Sequence, residues 1–379
     1  MAGRFDLDDL CAHVTEQLPT ERPCDQRAEF QHSQVGEGAC RREVGLIHGG
    51  RVVPATLVRV KRGHTTPGLT ICAMDSHAVE IVEVGPRDGL QSESQVLPTP
   101  AKIEFVRRLE RAGLRRIEVA SFVNPKRVPQ MADAEGVLAA LAPVPGARYI
   151  GLILNRKGFD RARAAGCAEV GMAIAASESF SQRNQGCSVD EGVGTWLEIA
   201  EAARDAGIRA QVTISTAFGC PFEGEVEPAR VLALAERLSA GNPDEIAIAD
   251  TIGVAVPTQV TALVSALRVS LPRMKLRAHF HNTRNTGLAN AYAAIEAGVR
   301  SLDASCGGIG GCPFAPAATG NVPTEDLIYM LHRMGIDTGV DLPLLLETTR
   351  WLQSILDHAV PGMVVKAGLF PARKPMENA

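Results

Sequence analysis

Residues 245–281, E-I-A-I-A-D-T-I-G-V-A-V-P-T-Q-V-T-A-L-V-S-A-L-R-V-S-L-P-R-M-K-L-R-A-H-F-H, contain two short apolar runs with an amphipathic stretch between them. The runs from Glu245 to Ala249 and from Lys275 to Phe280 have the length and composition of buried strands. The stretch from Pro257 to Leu271 has the length of a helix. A strand, a helix and a second strand in this order predict a parallel β/α unit.

The same alternation of apolar runs and amphipathic stretches begins at Val79 and continues along the chain. The predicted strands are Val79 to Val84, Arg116 to Ala120, Arg148 to Leu154, Glu169 to Ala175, Arg209 to Thr216, Glu245 to Ala249, Lys275 to Phe280 and Ser301 to Ala304. The predicted helices are Pro100 to Ala112, Glu191 to Ala206, Pro228 to Ala240, Pro257 to Leu271 and Thr286 to Ala297. Eight strands alternating with helices over roughly 250 residues predict an α/β fold, a (β/α)8 TIM barrel. A doubly wound open sheet is the alternative.

The N-terminal part of the chain differs from this pattern. Residues 1–75 show no sustained helical or strand period, so we predict a poorly structured, disordered extension there and a barrel domain with C-terminal closing helices over residues 76–379. The extension lacks the apolar segment of a secretory signal, and its early acidic residues argue against a transit peptide. Because Met74 stands just before the first strand, we expect residues 1–73 to be dispensable.

The overall composition excludes several classes of partner. The net charge is -4 with interspersed signs, and no basic patch indicates nucleic-acid binding. The longest apolar runs, around Ile150 and Ile174, are far shorter than the roughly 20 residues that span a bilayer. Nine cysteines without a C-x-x-C pair are typical of a reducing compartment. We therefore expect a soluble, cytoplasmic protein that binds neither nucleic acid nor membrane.

Polar residues follow several of the predicted strands. His279 and His281 are two residues apart on one strand, so both imidazoles face the same side. The other polar residues near strand ends are Asp88, Glu118, Asp250 and Asn321. Each residue alone is also compatible with a turn, a cap or an ion pair. In a barrel, however, the C-terminal ends of the strands build the active site, so the joint placement favours one site.

These side chains are suitable ligands for a metal ion. Acidic residues are costly to bury without a partner, and one cation held by Asp88, His279 and His281 would provide it. A carboxylate, two imidazoles and an amide oxygen, without thiolate, are typical ligands of Mg²⁺ or Mn²⁺, and Zn²⁺ remains an alternative. The sequence therefore predicts a divalent-cation site.

Several motifs together resemble one family. They are E-V-G-P-R-D-G-L-Q (83–91), S-F-V-N-P-K-R-V-P-Q-M (121–131), D-T-I-G (250–253), H-F-H-N-T (279–283) and G-G-C-P-F-A-P-A-A-T-G-N (310–321). In this order they resemble hydroxymethylglutaryl-CoA lyase, a metal-dependent barrel lyase of the group that includes isopropylmalate synthase. The resemblance implies cleavage of an acyl-CoA, 3-hydroxy-3-methylglutaryl-CoA (HMG-CoA), to acetyl-CoA and acetoacetate, a step of leucine degradation and ketone-body formation. It also implies a homodimer, by analogy.

The resemblance also implies a role for each motif residue. The implied metal ligands are Asp88, His279, His281 and Asn321. Arg87 would bind the substrate and neutralise the enolate oxygen, and Gln91 would contact the substrate. Glu118 and Asp250 would lie in or beside the ligand shell, with Glu118 orienting a histidine. Cys312 would take part in proton transfer from a mobile glycine-rich loop, whereas Cys306 is expected to be a small buried residue.

Two segments depart from the family pattern and leave alternatives open. The second histidine is followed by N-T-R-N where better-known members have D-T-Y-G, and the loop begins S-C-G-G-I where they have S-V-A-G-L. A lyase for a related substrate, such as citramalyl-CoA, would share every residue named above. An acetyl-CoA-condensing synthase usually carries a further C-terminal region, which is not expected here. An inactive scaffold barrel would have lost metal ligands, and none is lost.

Overall fold

The computed structural model describes residues 78–142, 144–311 and 320–370, together with the backbone of residues 47–48 and 51–52. Two short strands, Ile47–His48 and Arg51–Val52, form an antiparallel pair. The predicted disordered extension and the proposed start at Met74 otherwise lie outside the described residues.

Eight parallel strands in the described part of the chain close into a barrel, and each strand pairs with its neighbours in sequence. They are β1 (Glu80–Glu83), β2 (Arg116–Ser121), β3 (Arg148–Ile153), β4 (Glu169–Ala175), β5 (Arg209–Ser215), β6 (Ile246–Asp250), β7 (Leu276–Phe280) and β8 (Ser301–Ala304). The predicted TIM barrel is confirmed, and the open sheet is excluded because β8 pairs with β1. Each predicted strand end lies within one residue of the observed end. A short antiparallel pair, Gly219–Cys220 with Gly224–Glu225, follows β5 outside the barrel.

Helices follow the strands and cover the outside of the barrel. They are α1 (Thr99–Arg111), α2 (Ala134–Ala140), α3 (Arg156–Ala164), α4 (Glu178–Asn184), α5 (Val189–Asp205), α6 (Pro228–Ser239), α7 (Pro257–Ser270), α8 (Gly287–Glu296), α9 (Thr324–Arg333), α10 (Leu342–Leu356) and α11 (Val364–Ala367). The five predicted helices are present. No helix in the described residues is long and apolar enough to cross a membrane.

Local signals explain where the helices begin and why some were missed. Helix α5 begins before its predicted start because Ser188 and Glu191 form a capping box. The Ser188 hydroxyl accepts the N–H of Glu191 at 3.1 Å, and the Glu191 carboxylate accepts the N–H of Ser188 at 2.7 Å. Helix α3 was not predicted because its buried face is small, with Phe159 and Ala162 as its only buried side chains beyond a glycine.

The lower, N-terminal end of the barrel interior is filled by charged side chains rather than by apolar layers. Arg116 of β2 lies 2.6 Å from Glu169 of β4 and 2.9 Å from Glu245, which directly precedes β6. It also lies 3.0 Å from Glu80 of β1. Arg277 of β7 lies 3.3 Å from Glu245. The ion pairs therefore join strands on opposite sides of the barrel, and Arg116, Glu169 and Glu245 are buried.

Candidate metal centre and active site

The residues after β1 form one wide helical turn, Gly85–Gly89, with the sequence G-P-R-D-G. The turn begins where the strand ends, and the backbone N–H of Asp88 donates to the carbonyl oxygen of Val84 at 2.7 Å. A Cβ at Gly85 would lie 2.6 Å from a carboxylate oxygen of Glu83, so only glycine fits there. The turn directs Arg87 and Asp88 toward the upper, C-terminal end of the barrel.

Arg87 lies between two carboxylates. Its Nη1 donates to Asp88 Oδ1 at 2.6 Å, and its Nε and Nη2 lie 2.7 and 2.6 Å from Glu118 Oε2. Burial alone would lower the pKa of Arg87, but Asp88 and Glu118 raise it above its ordinary value. The guanidinium therefore stays cationic. Burial raises the pKa of Glu118, and the charge of Arg87 opposes that shift.

The two histidines converge as their spacing predicts. His279 lies on β7 and His281 directly follows it, and their ring centroids are 5.1 Å apart. Potential ligand atoms of Asp88, His279 and His281 all lie within 4.8 Å of one another. Among the described residues, this is the group with metal-binding geometry. The structure therefore places a candidate metal centre at the upper end of the barrel.

Asn321 lies next to this group. Its backbone forms an isolated bridge with His281, and its Nδ2 donates to Asp88 Oδ2 at 2.8 Å. Its Oδ1 is buried and has no hydrogen-bond partner among the described residues, and the same is true of Nδ1 of His281. Buried polar atoms are normally paired. An unpaired amide oxygen beside a carboxylate and two imidazoles is what a divalent cation requires, so the residues present fit a metal ion.

The pKa shifts in the centre favour the metal-binding state of Asp88 and His281 and the protonated state of His279. Burial would raise the pKa of Asp88, but Arg87 and the two histidines lower it to about 2. Burial and the charge of His279 lower the pKa of His281 to about 4. Asp88 is therefore ionised and His281 neutral near neutral pH. Burial opposes the protonation of His279, but hydrogen bonding to Asp303 raises the pKa of His279 above its ordinary value.

The hydrogen bond and ion pair that Glu118 forms in the described part of the chain are with Arg87. That Glu118 orients a histidine stays a prediction. The residue that contacts a histidine is Asp303 of β8, whose Oδ2 lies 3.1 Å from Nδ1 of His279. Asp303 was not predicted from the sequence. An acidic residue within the apolar run S-L-D-A is the signal that could have found it, since a buried carboxylate needs a partner.

The remaining predicted residues have different surroundings. Both carboxylate oxygens of Asp250 accept backbone N–H groups, from Val254 and Ala255 at 2.9 Å, so Asp250 holds the D-T-I-G loop. Burial raises its pKa, which the two N–H groups partly offset. Gln91 Oε1 accepts a hydrogen bond from the Ser121 hydroxyl at 3.3 Å. Cys312 lies outside the described residues.

Two buried carboxylates hold the segments around the centre, and neither was predicted from the sequence. Glu83 accepts the N–H groups of Gly85 at 2.7 Å and Cys306 at 2.9 Å, and the hydroxyl of Thr324 at 2.7 Å. Burial raises its pKa to about 7, although all three donors lower it. Glu83 thus joins the turn after β1, the glycine-rich loop after β8 and the start of α9. Cys306 is buried, as predicted, and burial raises its pKa.

Glu325 is the second carboxylate, and it makes a pH prediction possible. It accepts the N–H of Gly307 at 2.9 Å, and burial raises its pKa from 4.5 to about 8. The unfolded chain loses this proton at lower pH than the folded chain, so the contribution of Glu325 to stability is greatest below pH 4.5 and falls as the pH rises to about 8. In the wild-type protein, the free energy of unfolding should therefore fall between pH 5 and 8. We expect this fall to be smaller in Glu325→Gln, by on the order of a few kcal/mol.

Urea unfolding at several pH values measures this effect. Glu347→Gln is the matched control, because Glu347 is an exposed glutamate on α10. Identical pH slopes for Glu325→Gln and the wild-type protein would show that Glu325 is ionised in the folded chain.

Comparisons with known proteins agree with this geometry. The sequence profile of the HMGL-like family matches residues 78–352. An (R)-citramalyl-CoA lyase from Chloroflexus aurantiacus is 44% identical over 301 residues, which cover 77% of this chain and 95% of that protein. The mitochondrial hydroxymethylglutaryl-CoA lyase of Bos taurus is 45% identical over 289 residues, covering 76% and 89% respectively. The crystal structure of hydroxymethylglutaryl-CoA lyase from Pseudomonas aeruginosa superposes with a TM-score of 0.75 at 42% identity, covering 77% of this chain and 97% of that one. The chain therefore belongs to the HMGL-like family.

Proposed function

We propose that this protein is a carbon–carbon lyase that cleaves HMG-CoA to acetyl-CoA and acetoacetate. The observation that carries the proposal is the convergence of Asp88, His279 and His281 within 4.8 Å of one another, beside the cationic Arg87. The similarity to hydroxymethylglutaryl-CoA lyases over about three quarters of the chain supports the same reaction.

Retro-Claisen cleavage makes two demands on the site: the tertiary hydroxyl must lose a proton, and the departing enolate must be stabilised. We propose that the cation is Mg²⁺ or Mn²⁺ and that its ligands are Asp88, His279, His281 and Asn321. When bound, such a cation polarises the oxygens of the substrate and lowers the barrier to both changes. Asp88 is ionised and His281 neutral, as ligands must be, because the pKa of each lies well below 7.

Arg87 is proposed to stabilise the enolate oxygen. A guanidinium has five N–H donors, and the contacts with Asp88 and Glu118 involve Nη1, Nε and Nη2. Nη1 and Nη2 each keep one further N–H, so two donors remain for an oxygen that gains negative charge. Glu118 keeps the guanidinium in place, and the charge is present before the reaction begins, which is the condition for efficient transition-state stabilisation.

We also propose roles for three further residues. Cys312, which belongs to the glycine-rich segment after β8, is proposed to take part in proton transfer. Gln91 is proposed to contact the substrate. Asp250 is proposed to act beside the ligands by holding the loop after β6 in place. We also propose that residues 1–73 are dispensable, that the chain forms a homodimer, and that it acts in the cytoplasm in leucine degradation or ketone-body formation.

A direct assay tests the function. Purified protein is stripped of metal and mixed with HMG-CoA, with and without Mg²⁺ or Mn²⁺, and acetyl-CoA and acetoacetate are measured. We expect both products only when the cation is present. Full activity in metal-free protein would contradict the metal assignment, and consumption of acetyl-CoA with a 2-oxo acid would indicate a synthase.

The same assay distinguishes HMG-CoA from a second candidate substrate, citramalyl-CoA. The 44% identity to (R)-citramalyl-CoA lyase favours citramalyl-CoA as the alternative. That substrate would release pyruvate with acetyl-CoA, whereas HMG-CoA releases acetoacetate. Comparing kcat/KM for the two substrates identifies the preferred one, and a higher value for citramalyl-CoA would replace the first proposal with the second.

A further inference from the structure

We propose that Asp303 is a positioning residue, which fixes one tautomer of His279 so that Nε2 of the ring is directed to the metal. The inference rests on the metal centre of the proposed function. Nδ1 of His279 lies 3.1 Å from Oδ2 of Asp303, and both side chains are largely buried, at 12% and 7% exposure. A carboxylate accepts but cannot donate, so in the neutral imidazole Nδ1 carries the proton and Nε2 is left as the free ligand atom.

The barrel register sets this contact. Strands β7 and β8 pair in parallel, with Arg277 beside Ser301 and Ala278 beside Leu302. Continuing this register places His279 beside Asp303. Alternate residues of a strand face the same side, so Arg277 and His279 share the interior face. The contact between His279 and Asp303 therefore joins two neighbouring strands and does not depend on a loop.

The other oxygen of the carboxylate lies within ion-pair distance of a cation. Nη1 of Arg277 lies 3.2 Å from Oδ1 of Asp303, while Oδ2 contacts His279. Nε of Arg277 lies 3.3 Å from a carboxylate oxygen of Glu245. Asp303 therefore has one oxygen near a cation and one near the imidazole, and it cannot rotate away without losing an ion pair. A ligand histidine that donates its second N–H to a carboxylate is held in both tautomer and ring orientation.

The second histidine has no such support. Nδ1 of His281 is buried without a hydrogen-bond partner in the described part of the chain. Of the two imidazoles, only His279 is thus oriented by a carboxylate before any metal binds. The contribution of Asp303 to metal affinity should accordingly act through His279 alone.

Mn²⁺ affinity, measured on metal-stripped protein by electron paramagnetic resonance, tests the inference without relying on turnover. We expect Asp303→Ala to weaken Mn²⁺ binding by about 10- to 100-fold. Asp303→Asn should lose less, because an amide oxygen still accepts from Nδ1–H but lacks the charge. At saturating Mn²⁺, kcat with HMG-CoA should recover toward the wild-type value, since the metal site is weakened rather than removed. Asp160→Asn, which alters an exposed carboxylate on α3, is the control.

The outcomes separate this inference from the proposed function. Wild-type Mn²⁺ affinity in both Asp303 variants would overturn the positioning role and leave the lyase proposal intact. Wild-type protein that binds no Mn²⁺ yet cleaves HMG-CoA would overturn the metal centre, and the role of Asp303 with it. Asp303→Asn has nearly the same shape as the native residue, so it tests the inference even if Asp303→Ala fails to fold.

Discussion

Replacement of Asp88 or His279 with alanine is expected to lower kcat for HMG-CoA cleavage on the order of a thousandfold. Each variant removes one proposed metal ligand from a centre whose potential ligand atoms lie within 4.8 Å of one another. Asp88→Ala also removes one of the two ion pairs that Arg87 forms within the described residues and leaves the pair with Glu118. Single-turnover release of acetyl-CoA measures the chemical step, and bound Mn²⁺ measured in parallel reports ligand loss.

Asp160→Ala serves as the control, because Asp160 is 46% exposed and pairs with Arg156 and Arg163 of its own helix, α3. Circular dichroism should show an intact barrel in all three variants. Turnover within about tenfold of wild type in His279→Ala would place the reaction elsewhere.

Replacement of Arg116 with methionine is expected to lower the unfolding free energy by about 3–5 kcal/mol. Arg116 lies 2.6 Å from Glu169 and 2.9 Å from Glu245, whose side chains are only 1% and 4% exposed. Methionine fills similar space but leaves two carboxylates buried without their principal cation, and an uncompensated buried charge is strongly destabilising. Urea unfolding at pH 7 measures the difference.

Arg148→Met is the matched control for this variant. Arg148 also contacts Glu169, at 3.6 Å, and Glu80, at 2.6 Å, but its side chain is 34% exposed. Water screens such a pair, so its loss should cost about 1 kcal/mol or less. Equal costs for the two variants would indicate that water also reaches the Arg116 cluster.

The strands were the part of the fold that the sequence predicted best. Buried runs such as Glu169–Ala175 and Ser301–Ala304 are bounded by turn residues, and their observed ends coincide with the predicted ones. Short helices with few buried side chains, such as the nine-residue α3, were missed, because a short segment offers few apolar positions to recognise.

Some residues of the site could be predicted from the sequence and others could not. The spacing of His279 and His281 on one strand is a local property, so their convergence could be inferred from the sequence. The carboxylate that contacts His279 is decided by which strands are neighbours in the closed barrel. The sequence alone does not give the distances between side chains on neighbouring strands. The contact between Asp303 and His279 was therefore not predicted. The roles of Asn321 and Cys312 came from family resemblance, and Cys312 lies outside the described residues.

In TIM barrels, residues at the lower end usually stabilise the fold, and residues at the upper end form the active site. In this protein a chain of contacts runs from Glu245 through Arg277 and Asp303 to His279. The position of His279 is therefore linked to residues at the lower end. We expect that a substitution at Glu245 that makes the lower end apolar would remove an ion pair of Arg277, and would act through Arg277 and Asp303 on the imidazole of His279, a proposed metal ligand. Stabilised variants of this enzyme should therefore be screened for metal retention as well as for melting temperature.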